Sequence, residues 1–230
     1  MKLYYIRHGW PSYELNKLTP RGVFEAKLTA KYLKNLGIEK VITSDSNRAI
    51  ETASFLLEKI NVPTESFHSL NEDVAAEYFS VCENGKFLWV FWSEKILSLM
   101  SKHQDDNWWY FSDDFSMYKM GEGYQKFVKD FDQILLSINI VHNREEKTYY
   151  SNGEHPEVVA IFAHGGMGMS FVPYLLDENY CYFCINNKHL DTCGICEFEI
   201  DLENTHKIKM ISYNKLAYKE EDAQKYPNAL

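Results

Sequence analysis

The chain has 230 residues, of which 45% are hydrophobic and 25% charged, and its net charge is −9. This size and composition predict one globular domain, and the acidic balance argues against a nucleic-acid partner, whose phosphates it would repel. Because no apolar run approaches the length of a membrane span, we expect a cytoplasmic protein with no membrane partner. Five cysteines in a chain of this size indicate reduced thiols rather than a disulfide framework.

The first third of the chain alternates short apolar runs with amphipathic segments. Leu3 to Ile6 predicts a buried strand. Thr19-Pro20 is typical of a helix start, because threonine is a good cap and proline suits the first turn. Gly37 is expected to end this helix. Lys40 to Thr43 then predicts a second strand, and Arg48 to Ile60 a second helix.

Residues 73–120 lack a clear period and are rich in tryptophan and phenylalanine. We expect them to form a partly helical cap, inserted into one domain that spans residues 1–230. Aromatic residues are most often core residues, yet aromatics mixed with serine, aspartate and asparagine also line pockets. The sequence leaves both roles open for the aromatic stretch 89–115.

The last third predicts a helix from Gly121 to Leu135, a surface loop from His142 to Pro156 and the clearest strand of the chain. This strand, Val158 to Ala163, has six apolar residues, as expected of a parallel strand covered on both faces. A further helix follows, and strands at Gly194 to Ile200 and Lys207 to Tyr213 close the chain. The whole order predicts an α/β fold in three layers: a mostly parallel sheet flanked by helices, with an aromatic-rich inserted cap.

Three predicted strands each end just before a reactive or cationic residue, namely His8, Arg48 and His164. In parallel sheets, ligands bind beyond the carboxyl ends of the strands, so these residues and Arg7 are expected to converge. Guanidinium groups match the oxygens of a phosphoryl group, and a neutral imidazole is a nucleophile. Each residue alone is more often structural, but their coincidence at three strand ends predicts phosphoryl chemistry.

Six sequence elements resemble those of the histidine phosphatase superfamily, also called the phosphoglycerate mutase-like family. In chain order they are Arg7-His8-Gly9, Leu18-Thr19-Pro20-Arg21-Gly22, Ser44 to Ala53, Leu70-Asn71-Glu72, Gly121-Glu122-Gly123 and Val158 to Gly166. The first element alone is a weak signal. Six elements in the family's order, spread over nearly the whole chain, are a specific one.

The resemblance implies a role for each site residue. His8 would be the phosphorylated nucleophile, while Arg7, Arg48 and His164 would hold the phosphoryl oxygens. Glu72 would donate a proton to the leaving group. The resemblance implies neither a metal ion nor a cofactor.

Other features of the sequence bear on the acid and on the substrate. Asp73 and Glu77 lie close to the acid in sequence, but the position after Leu70-Asn71 favours Glu72. Many family members carry Glu or Gln and then Thr where this chain has Trp10-Pro11. The loop that follows is short, so Asn16 is only a candidate for the family's substrate-positioning asparagine. We expect a small phosphorylated substrate, whose identity stays open, as does the oligomeric state.

Two cysteine pairs, Cys181-x-x-Cys184 and Cys193-x-x-Cys196, flank His189. Paired cysteines of this kind can bind zinc tetrahedrally. Only eight residues separate the pairs, however, and Cys193 and Cys196 would point to opposite faces of an extended strand. Small buried thiols are therefore favoured, with zinc as the open alternative.

The favoured function is that of a phosphomonoesterase of the histidine acid phosphatase kind. The nearest alternative is a phosphotransferase of the cofactor-dependent phosphoglycerate mutase type, which uses the same residues. The short loop after Gly9 favours hydrolysis weakly. Two further alternatives are a catalytically silent scaffold that binds a phosphorylated ligand and a zinc-bearing interaction module.

Overall fold

The structure is a computed structural model that describes residues 1–228. Its strands are β1 Lys2–Arg7, β2 Pro11–Ser12, β3 Lys17–Leu18, β4 Lys40–Ser44, β5 Thr64–Phe67, β6 Ser80–Glu83, β7 Lys86–Trp89, β8 Ile140–Asn143, β9 Thr148–Ser151, β10 Val158–Ala163, β11 Ile195–Ile200 and β12 Ile208–Lys215. Its helices are α1 Pro20–Leu33, α2 Asn47–Leu57, α3 Glu72–Phe79, α4 Glu94–Met100, α5 Met120–Leu136, α6 Gly165–Leu176, α7 Tyr180–Asn186 and α8 Glu220–Ala223. Within this part of the chain, no helix is both long and apolar enough to cross a membrane.

Six strands form the central sheet in the order β12-β11-β1-β10-β4-β5. Four neighbouring strands, β1, β10, β4 and β5, run parallel to one another, whereas β11 and β12 are antiparallel to their neighbours. The predicted fold class, an α/β fold with a mostly parallel sheet between helices, is confirmed. Its parallel part brings the carboxyl ends of β1, β10 and β4 side by side.

The two central strands are buried on both faces, as their apolar sequences predict. In β1, Leu3 and Tyr5 point into the core beneath α5 and α6, while Tyr4 and Ile6 point into the core beneath α1 and α2. Strand β10 divides its side chains in the same alternating way. Two hydrophobic cores therefore hold these strands rigidly from opposite sides, which fixes the positions of their ends.

The predicted helix starts are accurate, but two predicted helix ends are too late. Thr19 caps α1 by accepting a hydrogen bond from the Gly22 N–H. Helix α1 ends at Leu33, and the chain turns twice before Gly37, which has a φ of 72°. Helix α2 ends at Leu57 rather than at Ile60. In both cases, apolar residues beyond the helix pack from a turn against the same core.

The segment from His142 to Pro156 was expected to be a loop, and this prediction is wrong. Strands β8 and β9 form an antiparallel hairpin there, with His142 opposite Tyr149. Tyr149 is fully buried, and its hydroxyl donates to the Leu175 carbonyl at 2.6 Å. One buried aromatic residue thus anchors a hairpin whose other residues are mostly polar.

Residues 73–120 comprise most of α3, the β6–β7 hairpin, α4 and several short turns of 3₁₀ helix. Their aromatic residues divide between buried positions, as expected of core residues, and exposed ones. Trp89, Phe91 and Trp109 are buried in the larger core, whereas Trp92 and Trp108 are more than half exposed. The segment is therefore joined to the sheet and its helices through a shared core.

Candidate active site

The site lies where β1, β10 and β4 end. The register pairs Arg7 of β1 with Ala163 of β10, so the residues that follow, His8 and His164, are neighbours. Their ring centroids are 5.0 Å apart, and both side chains are fully buried. Arg48 reaches the same place from the first turn of α2, directly beyond β4. The predicted convergence of Arg7, His8, Arg48 and His164 is therefore present in the fold.

The ring of His8 is held so that one nitrogen faces the site. Its Nδ1 lies 2.7 Å from the Gly9 carbonyl oxygen, which can only accept, so Nδ1 carries the proton. The other nitrogen, Nε2, accepts a hydrogen bond from Arg48 Nε at 3.2 Å. Burial, with smaller contributions from His164, Arg7 and Arg48, holds the pKa of His8 well below its usual value. The ring is consequently neutral, with its lone pair on Nε2.

His164 presents the opposite ring nitrogen. Its Nε2 lies 2.9 Å from the Ser44 hydroxyl, while Nδ1 is buried and has no hydrogen-bond partner in residues 1–228. The nearest carboxylate oxygen, Oε2 of Glu72, is 3.6 Å from Nδ1. Burial, and then the charges of Arg48 and Arg7, hold the pKa of His164 well below its usual value. A neutral ring with a free Nδ1 therefore faces the site.

Glu72 is the first residue of α3 and the acidic residue that the fold brings to the site. Its Oε2 accepts a hydrogen bond from Arg48 Nη2 at 3.0 Å, and its Oε1 accepts one from the Gly166 N–H at 3.3 Å. The two other acids that the sequence offered, Asp73 and Glu77, are exposed. Glu77 pairs with Lys119 instead.

Asn16 also lies at the site. It is the last residue of the short turn between β2 and β3 and has a φ of 48°, in the left-handed region that asparagine tolerates. Its Oδ1 accepts hydrogen bonds from Arg48 Nη1 at 2.8 Å and from the Ser46 hydroxyl at 2.9 Å. Arg48 therefore contacts Asn16, His8 and Glu72 through three different nitrogens, which fixes its guanidinium plane.

Arg7 approaches from β1, and its Nη1 donates to the Leu190 carbonyl and lies 3.3 Å from His189 Nδ1. The sequence indicates His189 only as a partner of the cysteines and not as a residue of this site. It indicates no role for Ser44 at the site either, although Ser44 is the polar residue with which β4 ends. The position of Ser44 at a strand end was the available signal, whereas His189 had none.

The backbone around His8 is packed closely against α1 and α2. A Cβ atom on Gly9 would lie 2.6 Å from the Gly22 carbonyl oxygen, so no side chain fits between the two segments. The Gly9 N–H donates to Thr52 Oγ1 at 3.1 Å, and that hydroxyl donates to the Arg48 carbonyl at 2.7 Å. These contacts couple the loop after His8 to the helix that carries Arg48.

The four paired cysteines are all buried but do not meet as one cluster. Cys181 and Cys184 lie on α7 and share the larger core with Cys196, whereas Cys193 packs in a separate small core with Leu18 and Ala26. Burial raises the pKa of both Cys184 and Cys196 to about 12, so these thiols are neutral. These positions match the small buried thiols that the sequence favoured.

Among residues 1–228, one group of three potential metal ligands is close enough to share an ion: His8, Glu72 and His164, whose ligand atoms all lie within 4.8 Å of one another. Arg48 donates to two members of this group, and the positive charge of Arg7 acts on both histidines. Two adjacent guanidinium charges oppose a divalent cation and favour an anion. The arrangement therefore suits a phosphoryl group better than a metal ion.

The family model described as histidine phosphatase superfamily (branch 1) matches residues 3–77, the part of the chain that carries Arg7, His8, Arg48 and Glu72. The resemblance to the histidine phosphatase superfamily is confirmed. The matched segment runs from β1 into α3 and thus includes two of the three strand ends that form the site. The third, which carries His164, lies beyond the match.

Several solved structures share the fold over nearly the whole chain. A protein described as mycobacterial hydrolase 2 is 16% identical, with a TM-score of 0.67, and the alignment covers 97% of this chain and 94% of that one. Phosphoserine phosphatase from Entamoeba histolytica, solved with 3-phosphoglyceric acid, is 17% identical, with a TM-score of 0.60 and coverages of 93% and 96%.

A third structure, mycobacterial glucosyl-3-phosphoglycerate phosphatase in complex with VO3, is 15% identical, with a TM-score of 0.57 and coverages of 93% and 98%. At such identities these likenesses establish the fold alone. The comparison with curated proteins gives no match.

Proposed function

We propose that this chain is a phosphomonoesterase that hydrolyses small phosphorylated molecules through a phosphohistidine on His8. One observation carries the proposal: the lone pair of the buried, neutral His8 ring lies on Nε2, which faces Arg48 in a site that also holds His164 and Glu72. A neutral imidazole nitrogen held beside guanidinium groups is suited to attack a phosphoryl group, whose charge those groups stabilise.

In the first step, His8 Nε2 forms a bond to phosphorus, and the bond between phosphorus and the leaving oxygen breaks. The leaving oxygen takes a proton from the Glu72 carboxyl group, so an alcohol departs rather than an alkoxide. The products of the step are phosphohistidine, a free alcohol and a Glu72 carboxylate.

In the second step, water attacks the phosphorus of phosphohistidine, and the bond from phosphorus to Nε2 breaks. The Glu72 carboxylate takes the proton of the attacking water, which restores the acid for the next turnover. Inorganic phosphate leaves, and His8 returns to its neutral form. The same carboxyl thus acts as an acid and then as a base in a cycle that consumes one water.

The remaining site residues stabilise charge on the non-bridging oxygens. Arg7 and Arg48 supply fixed positive charges, since guanidinium groups stay protonated at every working pH. His164 donates from Nδ1 when the Ser44 hydroxyl donates to its Nε2. Asn16, through its contact with Arg48, aligns that guanidinium group, and we propose that its amide also binds the substrate. No cofactor or metal ion takes part in these steps.

The nature of the substrate is supported indirectly. Two structures with this fold bear the names phosphoserine phosphatase and glucosyl-3-phosphoglycerate phosphatase, whose substrates are small phosphorylated molecules. The net charge of −9 makes nucleic acid an unfavourable partner. We further propose that residues 73–120 act as a cap within one domain of residues 1–230, since their buried aromatic residues share the core under the sheet.

Rapid-quench labelling with a ³²P-phosphorylated substrate tests the phosphohistidine step. We expect acid-labile label on the wild-type protein in the first turnover and release of the label as inorganic phosphate. His8→Ala should show neither label nor turnover. His155→Ala changes a histidine near the amino end of β10, away from the carboxyl ends that form the site. It is the matched control and should behave as wild type. Undiminished turnover by His8→Ala would overturn the mechanism.

The same labelled enzyme separates hydrolysis from phosphotransfer. When unlabelled 3-phosphoglycerate is added to the labelled protein, a phosphatase releases the label as inorganic phosphate. A mutase-type phosphotransferase would pass the label to the added acceptor. We expect inorganic phosphate to dominate at every acceptor concentration.

A further inference from the structure

A third histidine, partly buried, lies next to the site but outside the group that would contact the phosphoryl group. His189 belongs to the loop between α7 and β11, and its Nδ1 is 3.3 Å from Arg7 Nη1. The same Arg7 nitrogen donates to the carbonyl oxygen of Leu190, the next residue. Consecutive residues of one loop therefore contact one end of the Arg7 guanidinium group.

These two contacts use both N–H bonds of Arg7 Nη1, because that nitrogen carries two hydrogens. In contrast, Nε of Arg7 is buried and has no hydrogen-bond partner among residues 1–228. A buried, unpartnered donor is costly unless a ligand satisfies it. The guanidinium group is thus held by one nitrogen, while a second donor is left for an incoming anion.

The His189 ring is itself fixed from two sides. It stacks on Phe91, with ring centroids 5.5 Å apart and planes inclined by 30°, and Trp92 lies at the same centroid distance. Its other side lies against Gly165, where a Cβ atom would overlap the ring. Burial, and then the charge of Arg7, lower the pKa of His189 to about 3, so the ring is neutral and can accept a hydrogen bond.

We propose that His189 is a positioning residue: its Nδ1 accepts a hydrogen bond from Arg7 and holds that guanidinium group at the angle that a phosphoryl group requires. This inference rests on the proposed function, in which Arg7 binds the phosphoryl oxygens. The same proposal assigns a role to the aromatic stretch 89–115, because Phe91 and Trp92 fix the ring that aligns Arg7. His189 does not touch the reacting atoms.

If the His189 ring only filled space, two substitutions at this position would affect activity differently. Phenylalanine keeps the shape and the stacking of His189 but cannot accept a hydrogen bond. Asparagine loses the stacking but places an acceptor oxygen on Cγ, the atom to which Nδ1 is bonded in histidine. The pair His189→Phe and His189→Asn therefore separates alignment of Arg7 from packing.

We expect His189→Phe to lower kcat/KM about 10- to 100-fold, mostly through kcat, because a small displacement of a charge-stabilising group weakens the transition state. His189→Asn should recover at least part of this loss, although it packs less well. The matched control is His206→Phe, the same change at a partly buried histidine that lies against Tyr150 beyond the opposite end of β11. It should leave kcat/KM unchanged.

The decisive measurement is a double-mutant cycle with Arg7→Ala. If His189 acts through Arg7, His189→Phe should change kcat/KM less than twofold in the Arg7→Ala background. Equal losses in both backgrounds, or wild-type activity of His189→Phe, would overturn the inference. Urea unfolding midpoints establish that each variant is folded.

Two further measurements distinguish failure of this inference from misfolding of His189→Phe and from failure of the proposed function. If His189→Phe does not fold, Phe91→Leu removes the stacking partner instead, and its smaller loss, about threefold to tenfold, should likewise disappear in the Arg7→Ala background. Persistence of that loss would overturn the inference. His8→Ala tests the proposed function by itself: activity without His8 contradicts the phosphohistidine mechanism, whereas additive losses at His189 and Arg7 contradict only the role of His189.

Discussion

The ends of β1 and β10 carry the same residue type in nearly the same environment, yet the two sites differ. His8 and His164 are fully buried, neighbouring rings, and burial is the main cause that lowers the pKa of each. His8 faces the site with Nε2 and His164 with Nδ1. The difference arises from the hydrogen-bond partner of the nitrogen that points away from the site.

The chemical nature of that partner determines which nitrogen of each neutral ring can carry the proton. The Gly9 carbonyl can only accept, so it fixes the proton of His8 on Nδ1 and leaves a lone pair on Nε2. The Ser44 hydroxyl can donate or accept, so His164 can present Nδ1 with or without a proton. In the proposed mechanism, one strand end thus presents the nucleophile, and the other presents a polar group that can donate to or accept from the phosphoryl group.

Glu72 lies between these two strand ends, and its substitution has the largest effect that we expect after loss of His8 itself. Glu72→Gln should slow single-turnover phosphorylation by alkyl phosphates about 10²- to 10⁴-fold, because an alkoxide is a poor leaving group without a proton. Nitrophenyl phosphate should lose much less in that step, since nitrophenolate leaves unprotonated. Single-turnover rates for both substrates provide the check, and equal losses would show that Glu72 is not the proton donor.

Substitutions of His164 test which of its nitrogens faces the site. His164→Ala should lower kcat/KM about 10²- to 10³-fold, the usual cost of removing one preorganised donor. His164→Asn places its amide near the position of Nδ1, and His164→Gln places it near Nε2, so the asparagine variant should retain more activity. The reverse order would mean that the ring presents Nε2, as His8 does.

A smaller effect is expected from Ser44, which touches only the far side of His164. Ser44→Ala removes the hydrogen bond to His164, worth about 1 kcal/mol, and should slow turnover about fivefold. It also removes the hydrogen bond that Ser44 Oγ accepts from the Ser46 N–H at 3.2 Å. The amplitude of the phosphohistidine burst should stay the same, because the Gly9 contact of His8 is untouched. A loss of burst amplitude would show that the two strand ends are not independent.

The last expected effect is on stability as a function of pH rather than on turnover. Unfolded histidines protonate as the pH falls through about 6.5, whereas the lowered pKa values keep His8, His164 and His189 neutral in the folded protein. The unfolded state then binds more protons, so this contribution is fully present above pH 6.5 and is lost as the pH falls.

Urea unfolding between pH 5 and pH 8 measures this loss. His164→Asn removes one titrating group, so the slope of unfolding free energy below pH 6 should fall by up to about 1.4 kcal/mol per pH unit relative to wild type. His155→Asn, the same change at a histidine outside the site, is the control. An unchanged slope in His164→Asn would show that its ring is protonated in the folded protein.

The residues that follow the carboxyl ends of the central strands could largely be predicted, because their positions depend on local sequence patterns. An apolar run of six residues, as in β10, identifies a strand covered on both faces, and parallel pairing then places the residue after it. Strand β5, Thr64–Phe67, was not predicted, since its half-exposed polar residues lie at the sheet edge and leave no apolar run. The β8–β9 hairpin was missed for a similar reason.

The role of His189 could not be predicted from the sequence in the same way. Its neighbour Arg7 is 182 residues away, and its ring partners Phe91 and Trp92 lie in a segment without periodicity. Such a contact depends on where residues 73–120 and the loop between α7 and β11 lie relative to the end of β1. In contrast, the position of Glu72 after Leu70-Asn71 was informative, because the family resemblance extends to that segment.

The close approach of Gly9 and Gly22 limits which amino-acid substitutions the protein tolerates. A Cβ on either glycine would meet backbone atoms, of Gly22 in one case and of Trp10 in the other, and neither can move aside as a side chain does. In a saturation library selected for function, these two positions should therefore accept no other amino acid, although neither supplies a reactive group. The exposed side chains of Tyr13 and Leu15, in the same loop, should accept many.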